Sequence, residues 1–386
     1  MIFTKSTALE NQKSDTPKLS LQYEQIATDT HTLRSLDWDR SRFDIEFGLR
    51  NGTTYNSFLI RGKKTALIDT SHLKFKDIWF EKLRQEINPT EIDYLIVSHT
   101  EPDHSGLIKY LIKLNPNIEI VASKVAIKFL EDQIHQPFKS RAVKSGEELN
   151  LEINSISGIE HRIEFISAPN LHWPDTIFSF DHGTQVLYTC DAFGLHYCSE
   201  KLYDENPSLL NEDFRFYYDC LMAPNARSVV QALKKIDALP TIKTIGVGHG
   251  PILNFNTQLW LNHYREWSKQ RSTGENYAVV CYLSQYGFCD RLSQAIAHGI
   301  GKANAQVQLV DLIASDTQEL SALISDASAV VVPTWPIKSD SELQSNIGTL
   351  LASLKQKQWV ATYDSYGGNE EPIDFITNQL RKLGQK

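Results

Sequence analysis

Long apolar runs are missing from this chain of 386 residues: none approaches the roughly 18 to 20 residues that a transmembrane helix requires. An excess of positive charge is missing as well. The formal net charge is −8, which argues against a general nucleic-acid or anionic-membrane partner. The five cysteines (Cys190, Cys198, Cys220, Cys281 and Cys289) are an odd number without CxxC spacing. That pattern speaks against a disulfide framework or a zinc ribbon and for a reducing compartment, with the cytoplasm as the expected location. The N-terminus has no apolar stretch before a small-residue cleavage site, so a secretory leader is not expected. In the second half, residues 277–386, there is no Walker A lysine motif and no G-x-G-x-x-G, which argues against nucleoside triphosphate or dinucleotide binding there.

What remains is the composition of a globular protein, 41% apolar and 22% charged, long enough for two cores. Residues 1–30 read as a polar arm. From Leu33 to Ile68 apolar and polar residues alternate around Asn51-Gly52, the pattern of antiparallel strands joined by hairpins. Further strands are expected at Tyr94–Val97, Ile118–Ala122, Arg162–Ala168, Val186–Thr189 and Thr244–Val247, and a helix at Val125–Gln133. This mixture suggests two sheets covered by outer helices over 31–267. The polar segment 268–276 reads as a linker. From 277 to 386 strands at Tyr277–Leu283, Val307–Leu312, Ala329–Pro333 and Trp359–Tyr363 alternate with helices at Leu292–Lys302, Gln318–Ile324, Glu342–Leu354 and Pro372–Leu383. Such alternation is the grammar of a parallel, doubly wound sheet.

Seven residues carry the chemistry. His99, Glu101, Asp103 and His104 lie together in S-H-T-E-P-D-H, His172 in N-L-H-W-P, Asp191 in Y-T-C-D-A and His249 in V-G-H-G-P. Three of these four motifs follow an expected strand, where loops on a rigid scaffold collect function. On extended backbone His99 and Glu101 share a side, whereas the adjacent Asp103 and His104 diverge, so one loop can feed two metals. His172 and His249 can complete one metal each, and the two carboxylate oxygens of Asp191 can bridge them. His196, near Asp191, is a candidate for orienting a ligand from outside the donor set. The lone histidines at 31, 72, 135, 161, 182, 263 and 298 carry no spacing information and read as satisfied or solvated residues.

The run H-x-E-x-D-H followed by His, Asp and His resembles the metallo-β-lactamase superfamily, with Glu101 in place of a histidine. An anionic oxygen ligand there favours iron over zinc. Together with the second domain, the pattern resembles the flavodiiron proteins, and S-L-D-W-D-R-S-R-F-D-I-E-F-G-L-R-N-G-T-T-Y-N-S-F-L-I resembles their cyanobacterial members. The resemblance implies an α/β chain in which a metallo-β-lactamase-like αββα sandwich precedes a flavodoxin-like sheet. It assigns His99, Glu101 and His172 to one iron, Asp103, His104 and His249 to the other, and Asp191 to the bridge.

It also implies FMN on three loops of the second domain. These are Ser284, Gln285, Tyr286, Gly287, Phe288 and Cys289; Pro333, Thr334, Trp335 and Pro336; and Ser365, Tyr366, Gly367 and Gly368. Cys289 stands where a threonine is usual, which predicts weaker phosphate binding, since a thiol is a weak donor. Only four parallel strands can be counted where five are normal, and the flavin-reductase domain that follows in cyanobacterial relatives is absent, so the second domain is expected to be truncated.

The implied activity is reduction of dioxygen to water, with electrons passed through FMN from a donor such as a reduced pyridine nucleotide or ferredoxin. The implied assembly is a head-to-tail homodimer or a heterodimer with a related subunit. Nitric oxide reduction, dizinc hydrolysis and a non-catalytic partner role are the rivals.

Overall fold

The structure is a computed structural model that describes residues 19–43, 47–272, 277–283, 288–303, 305–313, 315, 317–334, 341–356, 358–363, 378, 380 and 381. The first sheet is built from Leu19–Ala27 (β1), Thr30–Asp37 (β2), Thr53–Arg61 (β5), Thr65–Ile68 (β6), Tyr94–Val97 (β7), Glu119–Ala122 (β8) and Lys139–Ala142 (β9), in the order β1-β2-β5-β6-β7-β8-β9. A short pair, Arg42–Phe43 (β3) with Phe47–Gly48 (β4), stands apart from it. The second sheet follows the order Glu148–Ile153 (β10), Glu160–Ser167 (β11), Ile177–Asp181 (β12), Val186–Cys190 (β13) and Thr244–Val247 (β14).

Strand alternation explains the layering. Leu59, Leu67 and Leu95 point out of the first sheet into a cluster with Trp79 and Leu83 of Lys76–Glu86 (α1), with Leu111 of Ile108–Leu114 (α3) and with Leu130 of Lys124–Ile134 (α4). Their neighbours Phe58, Ile60, Ile68 and Ile96 point the other way and meet Leu151, Phe165, Ile177 and Val186 of the second sheet. The far face of that sheet packs on Phe214 of Pro207–Tyr217 (α5), Leu233 of Ala226–Asp237 (α6) and Trp260 and Tyr264 of Thr257–Ser272 (α7). The result is the αββα sandwich.

In the second domain Tyr277–Tyr282 (β15), Gln306–Asp311 (β16), Ala329–Pro333 (β17) and Trp359–Tyr363 (β18) form a parallel sheet of order β16-β15-β17-β18. Phe288–Lys302 (α8), Thr317–Asp326 (α9) and Ser341–Ser353 (α10) alternate with these strands. Leu320, Leu323, Leu343 and Leu350 of α9 and α10 close the core over Val279, Cys281, Val330 and Val332.

Three expectations change. Strand β1 lies inside the segment read as a polar arm; it pairs with β2 across a tight turn at Thr28 and Asp29, where Asp29 takes φ 57°. Helix α7 runs to Ser272, so the first half of the expected linker is helical. Asn51-Gly52 does not close a hairpin between neighbouring strands. It leads into β5, whose partner is β2, with Asp37 opposite Thr53. Gly52 sits at φ 63°, and a Cβ there would lie 2.4 Å from the Asp37 carbonyl oxygen. The expected helix Pro372–Leu383 falls almost wholly outside the described residues.

Candidate metal centre

Strands β7, β13 and β14 end on the same side of the sandwich, and the loops that follow them carry His99, Asp191 and His249. Pairing of Cys190 with Val247 at the ends of β13 and β14 brings Asp191 and His249 side by side. Glu101 caps the single helical turn Pro102–Ser105 (α2), whose Pro102 at the first position fixes the turn that presents Asp103 and His104. His172 arrives from the segment between β11 and β12. Gly248 leaves room for the cluster, since a Cβ at that position would lie 2.8 Å from His104 Cε1.

All seven expected residues therefore meet. The two oxygens of Asp191 divide the donors. Oδ2 lies 3.1 Å from His172 Nε2 and 3.5 Å from His99 Nε2, while Oδ1 lies 3.0 Å from His104 Nε2 and 3.2 Å from His249 Nε2. Glu101 Oε2 is 3.0 Å from His172 Nε2 and 3.2 Å from His99 Nε2, and Asp103 Oδ2 is 3.4 Å from His249 Nε2. Each imidazole thus turns Nε2 inward. Both Asp103 oxygens, Asp191 Oδ2 and His249 Nε2 are buried without a hydrogen-bond partner. Donor atoms held out of water and left unsatisfied around one space are what cations would complete.

The electrostatics agree. Burial alone would lower His99, His104 and His172, but the carboxylates outweigh it: Asp175 raises His99, Asp103 and Asp191 bring His104 to about 10, and Asp191 and Glu101 bring His172 to about 9. Burial works to raise Glu101 and Asp191, yet their histidine neighbours hold both well below the usual carboxylate range. Cations entering the site would have to displace imidazole protons.

Two residues that support the cluster have no motif. Asp175 is fully buried, its Oδ1 3.0 Å from His99 Nδ1, and Thr54 presents its carbonyl 2.7 Å from His249 Nδ1. Asp175 follows His172 by three positions in H-W-P-D, the one local signal that marks it. His196, the outer candidate, places its ring 4.8 Å from that of His249 and its Nδ1 2.8 Å from Thr53 Oγ1. Its ring nitrogen Nε2 is buried without a partner, and with Tyr217 it lines a cavity of about 340 Å³. Tyr217 is followed by a π-helical turn, Tyr218–Met222, a type of irregularity frequent at functional sites.

Of the residues expected to hold FMN, Pro333 ends β17, and the half-buried Thr334 donates its amide to the Tyr363 carbonyl at 3.0 Å. Phe288 and Cys289 begin α8. Ser284, Gln285, Tyr286, Gly287, Trp335, Pro336, Ser365, Tyr366, Gly367 and Gly368 lie outside the described residues. Among the described residues no helix is long and apolar enough to cross a membrane.

The chain is similar to known proteins. The family described as ODP family beta lactamase matches residues 53–250. Diflavin flavoprotein A 1 of Synechocystis sp. is 50% identical over 379 residues, which cover 98% of this chain and 64% of that protein. A relative from Nostoc sp., also named as a diflavin flavoprotein A, is 53% identical over 368 residues, with 95% of this chain and 63% of the relative covered. The chain thus spans somewhat less than two thirds of the length of these relatives. Among solved structures, a metal-soaked flavodiiron core from Synechocystis sp. superposes with a TM-score of 0.71 at 31% identity, covering 96% of this chain and 91% of that one. The rubredoxin oxygen:oxidoreductase of Desulfovibrio gigas shares the fold, with a TM-score of 0.61 at 24% identity over 94% of this chain and 90% of that one.

Proposed function

Because the chain belongs to the flavodiiron protein family, we propose that it is an oxidoreductase that reduces dioxygen to water with electrons relayed by FMN. The observation that carries this reading is the division of donors by Asp191, with one carboxylate oxygen toward His99 and His172 and the other toward His104 and His249. In it, His99, Glu101 and His172 would hold one iron, Asp103, His104 and His249 the other, and Asp191 both. When bound, two irons supply two of the four electrons that dioxygen requires, and FMN supplies the rest.

The chain's own residues do the remaining work. Glu101 adds a hard, anionic donor in place of an imidazole, which favours iron over zinc. Trp173 stands edge-on to His99, with ring centroids 4.9 Å apart, and limits water on that side. The cavity at His196 and Tyr217 offers a small molecule a way toward His249. In the second domain, the carboxyl ends of the parallel strands β15, β17 and β18 lie at the same end of the sheet, the end at which open α/β sheets take their ligands. Electron supply in this reading comes from a reduced pyridine nucleotide or ferredoxin and passes between two copies packed head to tail.

The test is reconstitution with ferrous iron and FMN without oxygen, followed by metal analysis and oxygen-electrode and nitric-oxide-electrode assays with a chemically reduced flavin as donor. Two irons per chain and rapid oxygen uptake are expected. Faster consumption of nitric oxide would move the assignment to that substrate. Zinc with thioester hydrolysis would move it to a hydrolase, and no turnover by a fully loaded dimer would leave the role of a partner subunit.

A further inference from the structure

We propose that Asp175 is a positioning residue that makes the two metal positions unequal, so that the one framed by His99, Glu101 and His172 is held more tightly than the one framed by Asp103, His104 and His249. The inference rests on the two-metal reading above. It starts from the back of each imidazole rather than from the donor atoms.

His99 Nδ1 lies 3.0 Å from Asp175 Oδ1, and both side chains are fully buried. The other carboxylate oxygen, Oδ2, accepts from the Thr100 amide at 2.8 Å and the Thr100 hydroxyl at 2.6 Å. The Asp175 main-chain carbonyl accepts from Ser123 Oγ at 2.8 Å. With both oxygens and its backbone engaged, the carboxylate is fixed in place before any cation arrives. It holds a proton of His99 on Nδ1 and turns Nε2, the nitrogen that would take a cation once its own proton is displaced, toward Glu101 and Asp191.

The opposite position is backed differently. His249 Nδ1 donates to a neutral carbonyl, that of Thr54 at 2.7 Å. His104 Nδ1 is buried without a hydrogen-bond partner. Asp69, which also lies near His104, accepts from the Ser98 amide at 2.7 Å, and no hydrogen bond from it to an imidazole is present among the described residues. A carboxylate acceptor strengthens the hydrogen bond and raises the basicity of the far nitrogen more than a carbonyl does. Among the described residues, one of the two positions has that support.

The experiment is an anaerobic titration of metal-free protein with ferrous iron against a chromophoric chelator, with iron-57 Mössbauer spectra at one and two equivalents. The wild type should bind in two steps and give one dominant quadrupole doublet at the first equivalent. In Asp175→Asn the tighter step should weaken roughly tenfold to a hundredfold, the usual effect of losing such a partner, and the first equivalent should spread over two doublets. Ser123→Ala removes the anchor on the Asp175 backbone and the cap that Ser123 gives to the Ala126 amide, leaving the carboxylate in place; it should lower the melting temperature while both steps persist. Unchanged steps in Asp175→Asn, or equal weakening of both, would overturn the inference while leaving the two-metal reading intact. A wild type that takes up no second iron would overturn both.

Discussion

The first domain gathers its candidate ligands as buried side chains on the loops after β7, β13 and β14, whereas the second is expected to offer a cofactor the loops that follow its parallel strands. Buried polar residues show the contrast. Around the candidate metal centre, fully buried Asp175, Asp191, His99, His104 and His249 depend on one another for partners. In the second domain the middle of the sheet is Val279, Cys281, Val330 and Val332, and the expected cofactor loops come after the strands. An interior site must be pre-organised by side chains, because each unpaired polar group there is costly. A site made from backbone and loops needs fewer particular side chains, so its residues leave a fainter trace in the sequence.

The most severe break in that contrast is Asp191→Ala. It removes the one side chain that, among the described residues, faces both groups of donors, so paired-metal binding and oxygen uptake should both fall to background, read by metal analysis and an oxygen electrode. Glu101→His tests the same interior at one position. It should shift the metal content of protein grown in mixed metals from iron toward zinc, because a neutral imidazole replaces a carboxylate; an unchanged ratio would remove Glu101 from the donor set.

That contrast also explains what could be read in advance. The cluster of seven was legible because a candidate metal site needs particular side chains, and H-x-E-x-D-H places four of them within six residues. Strands such as Tyr94–Val97, Ala329–Pro333 and Trp359–Tyr363 were legible to the residue, since β-branched and aromatic runs bounded by polar residues have few other uses. The turn between β1 and β2 was not, because Thr28-Asp29 lacks the glycine that marks most such turns, and Asp29 supplies the positive φ instead. Asp175 escaped because its one local signal, a place three positions after His172 in H-W-P-D, does not say which histidine it serves; the fold shows that it lies behind His99.

Stability should separate the domains as well. Asp204 is fully buried and accepts from the amides of Asn254, Phe255 and Asn256 and from Trp260 Nε1 at 2.7 Å. Asp204→Ala orphans four donors and should cost about 3 to 5 kcal/mol, on the scale of breaking a buried charged network. In the second domain Gln358 Nε2 donates to the carbonyls of Ile324 and Ala327, both at 2.7 Å, and its Oε1 accepts from the Lys355 amide. Gln358→Ala should cost about 1 to 3 kcal/mol. Urea unfolding followed by hydrogen exchange should place each loss in its own domain; a loss shared equally by both would mean that the two unfold as one unit.

The smallest expected effect isolates one histidine inside the first domain. His161 is buried, with Nδ1 2.8 Å from Asp181 Oδ2 and Nε2 3.5 Å from Asp29 Oδ2, while Thr184 also donates to Asp181. Burial lowers its pKa, but the two aspartates outweigh it and the net shift is upward. A histidine with a raised folded-state pKa contributes stability that is fully present below its unfolded value, about 6.5, and is lost as pH rises through the folded value. Wild-type stability should therefore gain from this pair at pH 6 and lose that gain at higher pH, by no more than about 1 kcal/mol because the cluster is partly open to solvent. In His161→Gln the difference between pH 6 and pH 8.5 should shrink by that amount. Since the metal-site histidines are present in both proteins, comparing the two urea midpoints at each pH cancels their titration and leaves that of His161; a difference that grows with pH would mean that the imidazole is held neutral.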